Sequence, residues 1–480
     1  MAIELSTLTF TEQDDVVPES GVERILNTGL ANTLAGNDII TGTGGRYSIF
    51  NSGTFNTADG NDTITGIHND PEEDTILGYG IYNKEGTIDT GDGNDIITGI
   101  AQQGRGIETF SGYGIYQEIG TIDTGEGDDI IIGTGQRGNG ISTSVGIINT
   151  GGGDDIITGT DTFYSGIGVN YRGTLDTGSG SDTITGTGGS SGIQNYFTFN
   201  TSDGNDKISG NANLSGYGIL NVGTMDTGTG DDDITGTSIG TNPNCLGIYN
   251  TGTIDTGDGN DKITGTGTAG IYNTGIIKTG SDNDSIIANQ DILNFGGVFL
   301  GNGNDSIIVD TDIYQASLTN LNIIEAGDGN DIIRTNVIYN QGIINTGNGD
   351  DSIIAEGGFP GVDGIYNNGG AIITGDGNDS IIANEGFKSG LNSSGAWFLG
   401  EGEDYIKGFG SGDFYGGSGN DTLELTPGTY TVGIWGEAGE SPIFTKGNQL
   451  MITSEFEKLK AGNTLYDFTS LTAGQIITVA

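Results

Sequence analysis

The chain has little of what most soluble proteins use for crosslinks or for catalysis. Its 480 residues include one Cys, one His, two Trp and six Pro. The single Cys245 excludes an intramolecular disulfide, and we interpret it as an ordinary thiol. The single His68, which we expect at the surface, leaves no second imidazole for a zinc site and disfavours a Ser-His or Cys-His nucleophile. We therefore predict that the protein is not an enzyme.

Basic residues are also scarce. The chain has 15 Lys and Arg against 64 Asp and Glu, a formal net charge of −49. Such a surface repels nucleic acid and anionic membranes but attracts divalent cations. No apolar run approaches the ~20 residues that span a bilayer, and residues 1–15 lack the segments of a cleaved secretory signal. We expect no nucleic-acid partner and no membrane span, and any export would use another route.

Glycine, by contrast, is abundant, with 93 residues where a globular average of about 7% would give far fewer. It does not recur at every third position, which excludes collagen. It recurs instead in an acidic loop of the form Gly-x-Gly-x-Asp, followed two residues after the Asp by Ile or Leu. Four degenerate loops end at Asp38, Asp62, Asp206 and Asp284. Residues 70–74 have no glycines but keep the spacing between the final Asp and the following Ile. Carboxylates at fixed intervals in glycine-rich loops are typical of hard-cation sites.

The loops belong to a repeated unit, best formed at Gly247–Gly265. This unit contains three short β-type segments separated by turn signals, and no segment has a helical apolar period. Repeats of this length indicate a solenoid. We predict an all-β fold, a right-handed parallel β-solenoid (β-roll or β-helix) of about 16 coils with a small C-terminal β cap. The predicted domains are an N-terminal cap at 1–33, solenoid repeats at 34–425 and a C-terminal cap at 426–480.

Stacked coils would align equivalent side chains in rows. One inward row is predicted to contain Ile64, Ile97, Ile131, Ile157, Ile184, Ile208, Ile234, Ile263, Ile307, Ile333, Ile353 and Ile381. A second would contain Ile81, Ile115, Ile147, Ile219, Ile248, Ile271 and Ile365. A hydrogen-bonded ladder is predicted for Asn83, Asn149, Asn221, Asn250, Asn273, Asn340 and Asn367. Tyr82, Tyr116, Tyr249, Tyr272 and Tyr366 should point outward, where we expect them to cover the surface rather than bind sugar.

The acidic loop resembles the repeat of the hemolysin-type, or RTX, calcium-binding family, G-G-x-G-x-D-x-U-x with U apolar. Residues 416–424 match every position, and most other copies replace the first Gly by Thr, as in residues 90–97. The resemblance covers residues 34–425. It implies that Ca²⁺ binds between loops of successive coils, held by the final Asp and by loop carbonyls. The ligands that it implies are Asp95, Asp129, Asp155, Asp182, Asp232, Asp261, Asp305, Asp331, Asp351, Asp379, Asp404 and Asp421.

The chain departs from this family at the other turn of each coil. That turn reads Asn-x-Gly and carries no carboxylate, so we expect a single calcium row on one edge and empty or weak sites in the degenerate loops. Extracellular calcium modules bind at ~10⁻⁴ to 10⁻³ M, so the chain should fold outside the cell. The resemblance also implies type I secretion through a signal within residues 426–480, and hence an extracellular or cell-surface location.

These observations favour a secreted calcium-binding repeat protein with a structural or surface-interaction role. One alternative is a carbohydrate-active β-solenoid enzyme or its non-catalytic module, with a carboxylate site near Arg105, Arg137 or Arg172. Another is an adhesin or ice-binding rod. Thr65, Thr98, Thr158, Thr185, Thr235 and Thr264 form a partial row, which the insertions at 100–111 and 237–246 would interrupt. Besides calcium ions, a surface polysaccharide or another extracellular ligand is the candidate partner.

Overall fold

The computed structural model describes residues 2–18, 23–69, 77–102, 111–163, 167–309, 316–357, 363–389, 395–436 and 441–480. The loop at 70–74 and Arg105 lie outside these residues. The chain divides into two compact units. The first contains Met1–Asp258 and Ile263–Thr268, and the second contains Gly259–Lys262 and Ala269–Ala480.

Each coil contributes three short strands, one to each of three parallel sheets. We call the sheets face 1 (strands before the Asn-x-Gly turn), face 2 (strands before the acidic loop) and face 3 (strands after it). In the first unit, face 1 contains Ala2–Glu4, Arg24–Asn27, Tyr47–Asn51, Leu77–Asn83, Ser111–Gln117, Ile141–Thr143, Ile167–Tyr171, Ser191–Asn195, Tyr217–Asn221 and Leu246–Asn250. Face 2 contains Leu30–Asn32, Thr54–Asn56, Thr87–Asp89, Thr121–Asp123, Ile147–Asn149, Thr174–Asp176, Thr198–Asn200, Thr224–Asp226 and Thr253–Asp255. Face 3 contains Val16–Val17, Ile39–Thr43, Thr63–His68, Ile96–Ala101, Ile130–Gly135, Ile156–Asp161, Thr183–Gly188, Lys207–Ala212, Asp233–Ser238 and, at the sequence boundary of the units, Lys262–Thr266.

The second unit repeats this arrangement. Its face 1 contains Ala269–Asn273, Ile292–Asn294, Ser317–Asn320, Val337–Asn340, Ile365–Asn367 and Phe387–Ser389. Face 2 contains Ile276–Ser281, Gly297–Asn302, Ile323–Asp328, Ile343–Asn348, Ala371–Asp376, Ala396–Gly402 and Gly412–Gly419. Face 3 contains Ser285–Ala288, Ser306–Val309, Ile332–Thr335, Ser352–Ala355, Ser380–Ala383, Tyr405–Lys407 and Thr422–Leu425.

The second unit ends in a mixed β cap. Its strands are Gly428–Trp435, Ser441–Lys446, Gln449–Ser454, Lys458–Ala461, Thr464–Asp467 and Ile476–Val479. Four antiparallel pairings join them, and Gln449–Ser454 and Lys458–Ala461 continue faces 2 and 3 in parallel. The 3₁₀ turns Leu5–Thr7 and Phe468–Ser470 are the helical elements of the described residues, and neither could cross a membrane. The predicted all-β parallel solenoid with a C-terminal β cap is confirmed.

Three rows of apolar side chains fill the interior, because alternate residues of each strand point inward. The first predicted Ile row is buried throughout, and so is the second with one exception. Ile147 was placed wrongly: it is the first residue of a face-2 strand and is 44% exposed, while Ile141 occupies the inward position. Sequence reasoning missed the third row, formed by the central residues of the face-2 strands. It contains Phe55, Ile88, Ile122, Ile148, Leu175, Phe199, Met225, Ile254, Ile277, Val298, Ile324, Ile344, Ile372, Trp397 and Phe414.

The Asn ladder lies at the end of face 1. Asn221, for example, donates through Nδ2 to Asn250 Oδ1 at 2.8 Å and to the Thr253 carbonyl at 2.7 Å. Asn149 was assigned to this ladder wrongly, since it lies on face 2 and donates to Asp123. In the first unit Gln117, Thr143 and Tyr171 occupy the register positions between Asn83 and Asn195.

Candidate functional site: a buried column of carboxylates

The acidic loops stack so closely that their glycines are required. Gly91 and Gly93 have φ of 80° and 145°, which side-chain-bearing residues rarely adopt. A Cβ added to Gly127 would lie 2.0 Å from the Gly93 carbonyl oxygen of the preceding coil. Successive loops are therefore in backbone contact, and within each unit their final Asp side chains form a column.

Each Asp of this column is tied to the next by a hydrogen bond. The Asp95 backbone N–H donates to Oδ1 of Asp129 at 2.7 Å, and the Asp129 N–H donates to Oδ1 of Asp155 at 2.8 Å. The same bond, at 2.7 to 2.9 Å, joins Asp38 through Asp232 in the first unit and Asp261 through Asp421 in the second. At the C-terminal end, Glu457 Oε2 accepts the Asp421 N–H at 2.8 Å. Thus Oδ1 serves as a structural acceptor in every rung.

All twelve predicted ligand residues lie in this column and are buried. The four degenerate loops place Asp38, Asp62, Asp206 and Asp284 in the same position, so position alone does not separate them from the intact copies. Their difference lies in the backbone. Leu34, Ala58, Ser202 and Asp282 take the place of a loop glycine at φ of 62° to 79°, a strain of about 1–2 kcal/mol each.

The second carboxylate oxygen distinguishes this column from an ordinary turn ladder. Oδ2 is buried and has no hydrogen-bond partner at Asp38, Asp62, Asp95, Asp129, Asp155, Asp182, Asp206, Asp284, Asp305, Asp331, Asp351, Asp379, Asp404 and Asp421. A buried anionic oxygen without a partner is strongly destabilising. The repetition of the same defect at every one of these rungs therefore points to a missing positive partner.

Burial raises the pKa of these carboxyls from 3.8. The pKa reaches about 6 at Asp95 and Asp155, about 7 at Asp62 and Asp182, and about 8 at Asp129. In the second unit it reaches about 8 at Asp284, about 7 at Asp331 and Asp404, and about 6 at Asp305, Asp379 and Asp421. Desolvation is the largest cause, and a nearby Thr hydroxyl and the backbone N–H act in the opposite direction at most rungs.

That Thr stands where the RTX repeat has its first Gly. The Thr57 hydroxyl donates to the Thr90 carbonyl of the next coil at 3.3 Å, and Thr227 donates likewise to Thr256. Where this bond forms, the hydroxyl hydrogen points to the backbone rather than to Asp Oδ2, whereas the hydroxyls of Thr90 and Thr177 are buried without a partner. The sequence signal for this hydroxyl row is a Thr five residues before the loop Asp.

A second, exposed ladder runs in the opposite direction. The residue before each column Asp donates its N–H to the side chain of its counterpart one coil earlier, as Asp154 does to Asp128 at 3.0 Å. Asn61, Asn94 and Asn205 donate in the same direction. Adjacent loop residues therefore differ sharply: Asp128 is exposed and Asp129 is buried.

The column supplies some, but not all, of the oxygen ligands that a hard cation needs. Ca²⁺ takes 6 to 8 oxygen ligands, and a carboxylate oxygen without a partner is such a ligand. Within the described ranges, no three Asp, Glu, His or Cys side chains converge on one metal position. A cation held here would thus need backbone carbonyls beside its carboxylates, as glycine-rich loops can supply.

The residues considered for catalysis lie elsewhere. His68, expected at the surface, is buried, and its Nδ1 lies against the Gly45 carbonyl. That expectation was wrong because the strand Thr63–His68 extends far enough to turn the ring inward. Arg137 and Arg172 stack on Phe163 and Tyr196.

The chain was compared with protein-family models, with curated proteins and with solved structures. No protein-family model matches the chain, and no curated protein is similar to it. Among solved structures, the chain is similar to the X-ray crystal structure of a hyperactive, Ca²⁺-dependent, β-helical antifreeze protein from an Antarctic bacterium. The identity is 17%, 96% of each chain is covered and the TM-score is 0.32. A similarity at this level carries no information about function.

Proposed function

We propose that the protein is a calcium-binding β-solenoid whose fold depends on ions bound along the carboxylate column. The observation that carries this proposal is the buried Oδ2 without a partner, repeated from rung to rung in both units. The proposed ligands are the twelve column residues from Asp95 to Asp421 named above, with loop carbonyls completing each site. The ion would supply the positive charge that these carboxylates lack, as the resemblance to the RTX repeat also implies.

The energetic argument is the repulsion within the column. Neighbouring carboxylates separated by one strand spacing, ~4.8 Å, repel by about 0.9 kcal/mol at ε ≈ 80 and about 3.5 kcal/mol at ε ≈ 20. Summed over the rungs of either unit, this is comparable with the ~5 to 15 kcal/mol of net stability of a domain. Without a cation, the solenoid should therefore unfold as the pH rises and ionises the column.

Circular dichroism tests this proposal directly. We expect EDTA at pH 8 to remove the β-sheet signal and millimolar Ca²⁺ to restore it. Mg²⁺, which prefers rigid octahedral geometry and retains its waters, should restore less. An EDTA spectrum identical to the calcium spectrum would refute the proposal.

We further propose that the chain works outside the cell, where millimolar calcium would drive folding, and that residues 426–480 direct type I secretion. Export of the full-length chain should be compared with export of a chain ending at residue 425. Undiminished export of the shorter chain would contradict the secretion proposal but leave the calcium proposal intact.

Ice binding is a second candidate function, favoured by the outward surface of face 3 in the first unit. Six consecutive strands, Ile39–Thr43 to Thr183–Gly188, pair in parallel register. Their outward residues are all Thr or Ile, and none is buried: Ile39, Thr41, Thr43, Thr63, Thr65, Ile67, Ile96, Thr98, Ile100, Ile130, Ile132, Thr134, Ile156, Thr158, Thr160, Thr183, Thr185 and Thr187. A charge-free surface of this extent is exceptional in a chain of net charge −49.

The array has the regularity that ordered water requires. Its rows repeat at ~4.8 Å between strands and at about 6.6 Å along each strand, and Thr is stiff about χ1. Ice recrystallisation should be inhibited by the calcium-loaded protein and restored by Thr158→Tyr and Thr185→Tyr. Thr174→Tyr and Thr198→Tyr, on face 2, are the matched controls. Absence of inhibition by the native chain would eliminate this candidate.

A further inference from the structure

Four arginines on or beside face 1 of the first unit have no ion-pair partner among the described residues: Arg24, whose Nε donates to the Tyr47 carbonyl at 3.2 Å, and Arg46, Arg137 and Arg172. The chain has 64 acidic residues, and some basic side chains pair with them: Arg334 lies 3.0 Å from Glu356, and Lys460 lies 2.6 Å from Glu424, whereas Lys207 and Lys262 form no ion pair with a described residue. Within the described residues, Arg46, Arg137 and Arg172 are therefore held by contacts other than ion pairs.

These guanidinium groups are held on aromatic rings instead. Cζ of Arg137 lies 4.4 Å from the Phe163 ring centroid, that of Arg172 4.8 Å from Tyr196, and that of Arg46 5.4 Å from Tyr47. Such stacking fixes the guanidinium and leaves its N–H donors for another acceptor. Arg137 also has a φ of 57°, a backbone strain that positions this side chain at a cost.

Between the arginines lies a cluster of tyrosines. Tyr47, Tyr79 and Tyr113 occupy equivalent positions on three neighbouring strands and stack at 5.3 and 5.5 Å between centroids. Tyr82 and Tyr116 lie beside them, at 5.1 and 5.4 Å from Tyr79 and Tyr113. Burial raises the pKa of Tyr116, and Arg172 acts in the opposite direction, which indicates that its charge lies near this ring.

The cluster continues as a polar floor towards Arg172. Ser142 and Asn170 follow Tyr116 in register on the next two strands. Asn170 is 9% exposed, and its Oδ1 has no hydrogen-bond partner. From the strand Tyr47–Asn51 to the strand Ser191–Asn195 there are five inter-strand steps, about 24 Å in all. This length suits a linear polymer rather than a small molecule.

We propose that this strip, which we call the arginine–tyrosine strip, binds a linear polysaccharide that carries carboxylates at low density. The guanidinium groups of Arg137 and Arg172 would pair with sugar carboxylates. The half-buried rings of Tyr47, Tyr82, Tyr113 and Tyr116 would contact the sugar rings, while Ser142 and Asn170, only 5% and 9% exposed, lie beneath the contact surface. Nucleic acid is the less favoured polyanion, because its charge per ~1.7 Å of axis is strongly repelled by the net charge of the chain. The inference goes beyond the calcium proposal and does not depend on the identity of the stabilising ion.

The test is binding of hyaluronan, in millimolar calcium, to the immobilised full-length protein. The Arg137→Ala/Arg172→Ala variant should bind at least tenfold more weakly. Arg137→Lys/Arg172→Lys, which keeps the charge but loses the planar fork, should fall between the two. Lys207→Ala/Lys262→Ala removes the same charge from face 3 and should bind as the native chain does.

Circular dichroism of each variant in calcium separates loss of binding from loss of the fold. Failure of the native chain to bind hyaluronan would overturn the proposal. So would equal binding of neutral dextran, or tighter binding of single-stranded DNA. An equal loss of affinity in the Lys207/Lys262 control would also overturn it, because net charge rather than the arginine–tyrosine strip would then determine binding.

Discussion

Replacing Asp129 by Asn distinguishes the roles of the two oxygens of a column carboxylate. Asn retains an Oδ1 that can accept the Asp95 N–H, now at 2.7 Å from Asp129. It replaces the unpartnered Oδ2 by an uncharged amide. If the column were only a hydrogen-bonded turn ladder, this substitution would be nearly neutral. If the column holds calcium, its effect should change sign between calcium-free and calcium-loaded protein.

The magnitude follows from the pKa. Burial raises the pKa of Asp129 from 3.8 to about 8, and a tenfold change in an ionisation constant corresponds to about 1.4 kcal/mol. The raised pKa therefore costs the calcium-free fold about 3 kcal/mol at pH 6 and up to about 6 kcal/mol at pH 8. Asp129→Asn removes that cost, so it should stabilise the calcium-free protein by a few kcal/mol. In calcium, the lost ligand should shift the folding midpoint to a higher calcium concentration.

The assay is urea unfolding followed by circular dichroism, at pH 6 in EDTA, where the calcium-free fold should persist, and at pH 8 in saturating calcium. Asp128→Asn is the matched control: it makes the same charge change on the next residue, which is exposed and belongs to the outer ladder. The control should move both midpoints by less than about 0.5 kcal/mol. Effects of the same sign in EDTA and calcium, or equal effects of the two variants, would refute the reasoning.

Three further predictions follow from the same contacts. The column pKa values are raised to about 6 at Asp155 and about 8 at Asp284. The stability that the protonated carboxyls contribute is therefore present in full below pH 3.8 and is lost as the pH rises through 6 to 8. In EDTA the β-sheet signal should thus be present near pH 5 and lost by about pH 8, and a signal that grows with pH would contradict this sign. Asn221→Ala leaves buried partners in the Asn ladder unsatisfied, so it should lower the free energy of unfolding by about 2–4 kcal/mol in calcium-loaded urea unfolding. Asn149→Ala, at a half-buried position on face 2, should lower it clearly less. Equal losses would argue against the ladder. Gly127→Ala places a Cβ 2.0 Å from the Gly93 carbonyl oxygen and should strongly lower the thermal unfolding midpoint in calcium. Gly44→Ala is the control, because φ is also positive there but no atom lies within 4 Å of the added Cβ, and it should lower the midpoint far less. Similar midpoints would show that loop stacking is not what requires the glycine.

Local sequence patterns assigned one strand to the wrong face of the solenoid. Gly146-Ile147-Ile148-Asn149 looks like the face-1 sequence Gly247-Ile248-Tyr249-Asn250, yet it forms the face-2 strand. A usable signal was present, because Asn149 precedes its loop Asp155 by the same interval as Asp89 precedes Asp95. The face-1 strand of this coil, Ile141–Thr143, ends in Thr143 where most coils have Asn, so its own turn lacks the Asn-x-Gly marker. Strand assignment in a solenoid therefore depends on the interval to the acidic loop as well as on the motif itself.

The sequence by itself determined the coil, because turn chemistry and apolar alternation are local and repeat with the loop. It therefore predicted the parallel all-β solenoid, the first inward Ile row and the single row of loop aspartates. Only the tertiary structure decided how each carboxylate is used, because the N–H that binds Oδ1 comes from another coil. It also decided that Arg137 and Arg172 rest on rings rather than on carboxylates, and that eighteen Thr and Ile side chains share one charge-free surface. Those neighbours are set by stacking across 17 to 34 residues of sequence, a distance over which no local pattern carries information.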